Sequence, residues 1–432
     1  MILYNLFKFS LWIMYICFFR RVYYLNANYI PKDEPLIFIS NHSNGFMDPI
    51  LIAAMQKRPV YFWARASEFP DNLKGKLMYR LHGLPIYRVE EGTENMHKNE
   101  ATFKKTRELL YTGWDSAFIA PEGNCVLQKK LLPFKKGCAR LAFKMMEEKN
   151  WGIDVKILPA GVNYTYHDKF RSEVYTKLGK PLSVLSYKEI YEKDKEEAIA
   201  QLTADMRVAL RNQMVYIEEG NEALTEKLLV LLRNNFTRGI FPMYSANPEL
   251  CEAEQQMANY VNELGEEEKI KLEEQVDTYY QNLEAKGAND YAVANQNKRS
   301  VFWLMVGLPF WIIGTLVGRI PHILARNLRN KFVPFAEFST SFAFTAAFFI
   351  WIIWGILSVV IGAFFIGWWT LLLPFGMIFF QTYAYHYQDY YKEWSYLTRY
   401  KKVKKKDELE QERAGIKCLG KDYMKYANKV LQ

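Results

Sequence analysis

From Pro35 onward the chain alternates two hydrophobic rhythms. Continuous apolar runs of strand length occupy 35–40, 59–64, 115–120 and 153–162, and stretches with helical spacing at 48–57, 95–112 and 135–148 fall between them. Runs of the first kind suit strands covered on both faces, and their alternation with helices predicts a mixed, mostly parallel sheet flanked by helices. This α/β domain is placed at 26–215. Ligands of such sheets collect at the C-terminal ends of the strands. Past 215 the rhythm is helical: 222–235 is amphipathic, and 249–286 is acidic with Leu and Tyr at helical intervals. A solvated helical linker or subdomain over 216–300 is the expectation.

Charge then disappears. Between Phe338 and Tyr385 there is no Asp, Glu, Lys or Arg. Its apolar part, 342–380, would measure about 58 Å as helix at 1.5 Å per residue. A hydrocarbon core of ~30 Å takes about 20 residues, so a transmembrane hairpin turning around Gly362 to Gly367 is predicted. A second apolar run, 301–318, is broken by Pro309 and reads as re-entrant or spanning. The N-terminal 1–25 is apolar as far as Phe19, but it carries Lys8 and is followed by Arg20 and Arg21. That pattern suits an interfacial membrane anchor better than a full span or a cleaved leader. Arg319, Arg326, Arg329 and Lys331, and the lysine run from Lys401 to Lys406, favour the cytoplasmic side. With both on that side, 342–380 is a hairpin and 301–318 does not cross. The membrane region is thus 301–385, followed by a basic cytoplasmic tail at 386–432.

Composition narrows the choice of partner. A formal charge of +9 would serve nucleic acid or an anionic membrane surface, and the long uncharged stretch decides for anionic phospholipid and against nucleic acid. Five cysteines, Cys17, Cys125, Cys138, Cys251 and Cys418, have no metal-like spacing, and their odd number suits reduced thiols.

Candidate chemistry starts where the first strand ends. Asn41-His42-Ser43-Asn44-Gly45-Phe46-Met47-Asp48 puts a base and a carboxylate in one glycine-containing bend. Histidine accepts protons near neutral pH, and a carboxylate on its other ring nitrogen fixes the tautomer. Read alone, the bend could be a polar turn before a helix with Asp48 as its cap. Three further segments belong beside it: Gly83 to Arg88, Phe118 to Gly123, and Ile157 to Tyr164 with Pro159 inside. Singly, Arg88 could be a surface arginine, Glu122-Gly123 an ordinary turn, and Pro159 the mark of an edge strand.

Together and in this order, the segments resemble the four sequence blocks of the glycerolipid acyltransferase superfamily, which includes glycerol-3-phosphate and 1-acylglycerol-3-phosphate acyltransferases. Asn41, His42 and Asp48 match the first block, and Gly83, Ile86 and Arg88 the second. Pro121, Glu122 and Gly123 match the third, with Ala120 where the family has Phe, and Pro159 matches the fourth. The accessory segments Phe134-Lys135-Lys136-Gly137 and Gly179-Lys180-Pro181-Leu182 agree, and the likeness covers roughly 30–185. Five residues separate His42 from Asp48, one more than the commonest pattern, as in a fungal and bacterial branch with C-terminal membrane segments.

The resemblance implies an acyltransferase domain at 26–215. His42 would be the general base and Asp48 its orienting partner. Arg88, Glu122, Gly123 and Arg65 would bind the acceptor, with Lys74, Lys76 and Lys135 as further anion contacts, and Pro159 would shape the acyl groove. The expected reaction moves a fatty acyl group from an acyl thioester, on coenzyme A or acyl carrier protein, to a hydroxyl of glycerol-3-phosphate or 1-acylglycerol-3-phosphate. Two alternatives stay open: acylation of an aminolipid or lysolipid without a terminal phosphate, and a non-catalytic lipid-binding scaffold. No His/Cys cluster or phosphate-cradling glycine loop occurs, so neither a metal nor a cofactor is expected beyond the acyl donor. A bacterial inner membrane, with the catalytic domain on its cytoplasmic face, is the expected location.

Overall fold

A computed structural model describes residues 2–88, 92–236, 243–295, 299–333 and 336–416. The end of the basic tail, including Cys418, lies outside the described residues. Contacts divide the chain into two compact units, the first formed by Met1–Met214, Met243–Ala246 and Phe335–Ser341.

The first unit begins with α1 (Ile2–Phe18), β1 (Arg21–Leu25), β2 (Leu36–Ser40), α2 (Met47–Met55), β3 (Val60–Arg65), α3 (Leu73–Arg80), β4 (Gly83–Ile86), α4 (Asn99–Leu110) and β5 (Ser116–Ile119). It continues with α5 (Gly137–Glu148), β6 (Lys156–Tyr164), β7 (Glu173–Leu178), β8 (Leu182–Ser183), α6 (Lys188–Lys193), α7 (Lys195–Arg211) and β9 (Tyr244–Ser245). Among the described residues the strands form one nine-stranded sheet, ordered β4-β3-β5-β2-β6-β7-β1-β9, with β8 paired to β6. From β4 to β6 every pairing is parallel, and β7 runs antiparallel to β6. The expected mixed, mostly parallel sheet flanked by helices is therefore present.

One face is sealed by α5 and α7, whose Phe143, Met145, Met146, Leu202 and Met206 bury against Ile37, Ile39, Ile119 and Ile157. Each such side chain removed from water contributes about 1.5–3 kcal/mol. The sheet also starts earlier than the boundary at 26: Val22 to Leu25 of the expected anchor are a buried strand beside β7. The helix α1 before it is two-faced, with Tyr4, Leu11, Tyr15 and Phe18 buried and Leu6 and Phe9 exposed.

The second unit comprises Val215–Pro242, Asn247–Pro334 and Phe342–Gln432. Its helices are α8 (Glu222–Asn234), α9 (Glu249–Glu263), α10 (Glu266–Ala285), α11 (Asp290–Ala294), α12 (Val301–Phe332), α13 (Ala336–Ile366, whose first residues to Ser341 belong to the first unit), α14 (Leu373–Tyr400) and α15 (Lys406–Gly415). The expected linker is not a separate piece. Leu228, Leu232, Met257, Val276 and Tyr279 share one core with Leu397 and Tyr400 of α14 and Leu409 of α15.

Two expectations about the apolar helices change. The run 301–318 neither stops nor turns at Pro309: α12 continues to Phe332 through Pro309 and Pro321. A proline removes one backbone bond, and tight packing against α14 holds the helix together around it. Gly314 illustrates the closeness, since a Cβ there would lie 2.0 Å from the Phe380 carbonyl oxygen. The hairpin turn falls at a 3-10 turn, Gly367–Leu372, slightly later than expected, with Gly367 at φ 58°. Both α12 and the α13–α14 stretch are long and apolar enough to cross a membrane. Phe364, Phe365, Trp368 and Leu371 are exposed near the turn, as lipid-facing residues would be.

Candidate active site

The bend after β2 is built by substitution of side chains for backbone. The ladder between β2 and β6 ends at Ser40 opposite Ala160. One residue on, the Asn41 amide replaces the missing strand: Nδ2 donates to the Val162 carbonyl and Oδ1 accepts from the Val162 N–H, both at 2.8 Å. His42 is thereby held at the mouth of the sheet. The chain then turns through Asn44 and Gly45, at φ 45°, into α2.

Asp48 sits in the first turn of α2, but it does not cap that helix. It reaches back into the bend instead. Its Oδ2 accepts the Ser43 and Asn44 backbone N–H groups, each at 2.9 Å, and faces His42 Nδ1 at 3.0 Å. Its Oδ1 accepts the Tyr164 hydroxyl at 2.7 Å. A carboxylate taking three other donors has only acceptor capacity to offer the ring, so Nδ1 carries the hydrogen and Nε2 the lone pair. The Asp48 side chain is fully buried, whereas 19 % of the His42 side chain is accessible. A fixed carboxylate inside and a reachable nitrogen outside is the arrangement a general base requires.

Glu122, at the end of β5, has partners other than those expected. Its Oε1 accepts the His42 backbone N–H at 3.2 Å and its Oε2 the Leu132 N–H at 2.7 Å. The carboxyl is therefore tied to two backbone amides. Burial pushes its pKa up to about 7, opposed by the two backbone bonds, that from Leu132 first, and by the nearby His42. The loop after it is drawn in as well, with the Val126 N–H donating to the His42 carbonyl at 2.9 Å.

The expected acceptor cations lie on the same rim. β2, β5, β3 and β4 are parallel neighbours, so the residues following them, His42, Glu122, Arg65 and Arg88, all occur at the C-terminal ends of adjacent strands. Arg88 donates to Asn124 Oδ1 at 3.1 Å. Gly123, at φ 74°, lies under Lys135, whose Cε would be 2.9 Å from a Cβ placed there. Arg88 and Lys135 thus approach neighbouring residues of this turn, and the glycine serves the approach of Lys135. Arg65 is exposed at the last position of β3, with no described bond to the bend. Lys74 pairs with Glu68 at 2.8 Å, and Lys76 is exposed on α3.

Pro159 is buried within β6, opposite Ile39, so it lies inside the sheet and not on an edge strand. A proline fits there because the partner strand changes at that point. β8 pairs as far as Ile157, β7 begins at Ala160, and the Pro159 carbonyl accepts only the Gly179 N–H at 2.8 Å. It shapes the strand from which Val162 and Tyr164 reach the bend. Sequence reasoning assigned no role to Tyr164 or Asn124. Both contacts span long separations, and no local pattern signals them.

Residues 21–163 match the family model described as Acyltransferase. Among curated proteins, glycerol-3-phosphate O-acyltransferase 1 of Saccharomyces cerevisiae is 25% identical over 266 residues, covering 42% of this chain and 35% of that protein. An uncharacterized acyltransferase of Schizosaccharomyces pombe is 22% identical over 283 residues, covering 45% of this chain and 42% of that protein. The chain spans well under half the length of these curated relatives. Among solved structures, the 1-acyl-sn-glycerophosphate acyltransferase PlsC of Thermotoga maritima is 22% identical, covers 44% of this chain and 70% of that chain, and superposes with a TM-score of 0.31. The family match over 21–163 takes in His42, Asp48, Arg88, Glu122 and Pro159, so the four ordered blocks and the acyltransferase likeness fall on the same part of the chain.

Proposed function

We propose that this protein is a membrane-anchored O-acyltransferase that moves a fatty acyl group from an acyl thioester to a hydroxyl of glycerol-3-phosphate or 1-acylglycerol-3-phosphate. The observation that carries the reading is the His42–Asp48 pair, with Nδ1 fixed on a buried carboxylate, Nε2 free of that contact, and the His42 side chain partly accessible. The acceptor hydroxyl gives its proton to His42 Nε2 as its oxygen attacks the thioester carbonyl carbon. Collapse of the tetrahedral adduct breaks the C–S bond, and the departing thiolate takes the proton from the imidazolium. No bond to the enzyme forms. General-base assistance of this kind is worth ~10²–10⁴-fold, and alignment of the two substrates adds to it.

Arg88 and Lys135 over the Gly123–Asn124 turn favour an acceptor that bears phosphate, because a guanidinium binds it in a forked geometry and an ammonium adds charge. The S. cerevisiae relative, a glycerol-3-phosphate O-acyltransferase, points the same way. The donor is coenzyme A or acyl carrier protein, both of which present the same thioester. The apolar helices suit a membrane location, and the basic residues near them support a cytoplasmic face for the catalytic domain. The test supplies membranes containing the full chain with labelled acyl thioester and a panel of phosphorylated and unphosphorylated acceptors. Transfer to a glycerol phosphate, lost in His42→Ala, is the expected result. Equal transfer by both proteins, or transfer to no acceptor, overturns the reading and leaves the lipid-binding scaffold.

A further inference from the structure

The catalytic bend has a partner that the family-matched stretch does not contain. Four residues at the head of α13, Phe338 to Ser341, belong to the first unit and pack on the bend itself. The buried Ser341 hydroxyl donates to the Asn44 carbonyl at 2.5 Å, across 297 positions of sequence. Beside it, Thr340 Oγ1 donates to the His167 carbonyl at 2.9 Å, and Asn44 Nδ2 donates to that same carbonyl at 3.0 Å. The Phe338 ring lies over Gly45, where a Cβ would come within 2.8 Å of its Cδ1, and its centroid is 6.3 Å from that of Phe46.

Asn44 is held from both sides. Its carbonyl and side chain are fixed through Ser341 and His167, and its N–H donates to Asp48 Oδ2, the oxygen that faces His42. We infer that residues 338–341 are a positioning element of the active site, which makes the aim of Asp48 at His42 depend on the seating of α13, a helix apolar enough to cross a membrane. Resting on the acyl-transfer reading, this goes beyond it in placing part of the site some 170 residues past the end of the family match. Ser341 touches no reacting atom. Its effect runs through the Asn44 peptide, and a misaligned base lowers turnover more than it weakens substrate binding.

The experiment uses the full chain in detergent micelles and compares Ser341→Ala, Ser341→Thr and Ser358→Ala with wild type. Ser358 lies further along the same helix, where its hydroxyl donates to the Gly355 carbonyl and its own carbonyl accepts the Thr370 hydroxyl. The expected result is a fall of about tenfold in kcat for Ser341→Ala with KM for both substrates within about twofold, the size expected for one lost hydrogen bond. Ser341→Thr, which keeps a hydroxyl, should recover most of it, and Ser358→Ala should match wild type. Wild-type kcat in Ser341→Ala overturns the inference. So does a loss carried by KM, or one that Thr does not restore, or one equalled by Ser358→Ala. His42→Ala run in parallel separates the two levels: if it retains activity, the acyl-transfer reading fails, whatever Ser341 does.

Discussion

The two halves of the site are built in opposite ways. On the β2 side every polar group that aims His42 is buried and already bonded: Asp48 by four donors, Glu122 by two backbone amides, Asn41 by both edges of Val162. On the β3–β4 side the cations sit at strand ends in partial or full exposure, where Arg88 donates to an asparagine. The contrast teaches where preorganisation is concentrated. On the proposed reading, the proton acceptor is set before substrate arrives, and the acceptor's charged group would meet the more exposed side chains.

If that division is real, substitutions on the two sides should alter different kinetic constants. The largest expected effect is on the open side. Arg88→Ala should raise KM for a phosphorylated acceptor about 10–100-fold and leave kcat nearly unchanged, as loss of a charge-assisted contact made equally in ground and transition states does. An equal loss with acceptors that lack phosphate would favour the aminolipid or lysolipid alternative.

Glu122→Gln probes the closed side. A carboxamide can accept from only one of the His42 and Leu132 N–H groups, so kcat should fall about tenfold, equivalent to one unsatisfied buried donor. Its stability has a distinctive pH signature. The Glu122 pKa is raised on folding to about 7, so its contribution is complete below about 4.5 and is lost as pH rises towards 7. Thermal melts between pH 5 and pH 8 should show wild type losing stability relative to the variant. Parallel curves would mean that Glu122 keeps an ordinary carboxylate.

The smallest effect sharpens the comparison most. Tyr164→Phe removes the donor on Asp48 Oδ1 and leaves the other three in place. The carboxylate becomes a stronger acceptor for the imidazole, so the acid limb of the kcat/KM profile should move up by about half a pH unit, with a loss of about threefold at low pH that shrinks as pH rises. A uniform loss at all pH values would make Tyr164 a packing residue only.

How much of this could be read from the sequence follows from how local each signal is. β2, β3, β5 and β6 were legible because buried parallel strands write continuous apolar runs. β7 was not, because Glu173, Thr176 and Lys177 interrupt it. Glu173 is buried all the same, its carboxylate taking the Tyr175 hydroxyl at 3.2 Å. β1 was hidden in the apolar N-terminal run, where nothing separates a strand from a membrane-facing segment. The ordered blocks located His42, Asp48, Arg88 and Glu122, but they could not report what each side chain touches. Glu122 bonds to backbone amides, which leave no trace in residue identity, and Tyr164 reaches Asp48 across 116 positions. Pro309 was misleading because a helix bound tightly by a neighbour tolerates the one bond a proline removes.

The interleaved chain path has a consequence for biosynthesis. Because Ser341 closes on Asn44, the bend around His42 cannot be completed while the ribosome is still translating the helices that come between them. The sheet edge can be filled earlier, once Tyr244 and Ser245 have emerged, but the bend waits for the head of α13. The contact that fixes the bend is thus among the last of the first unit to form.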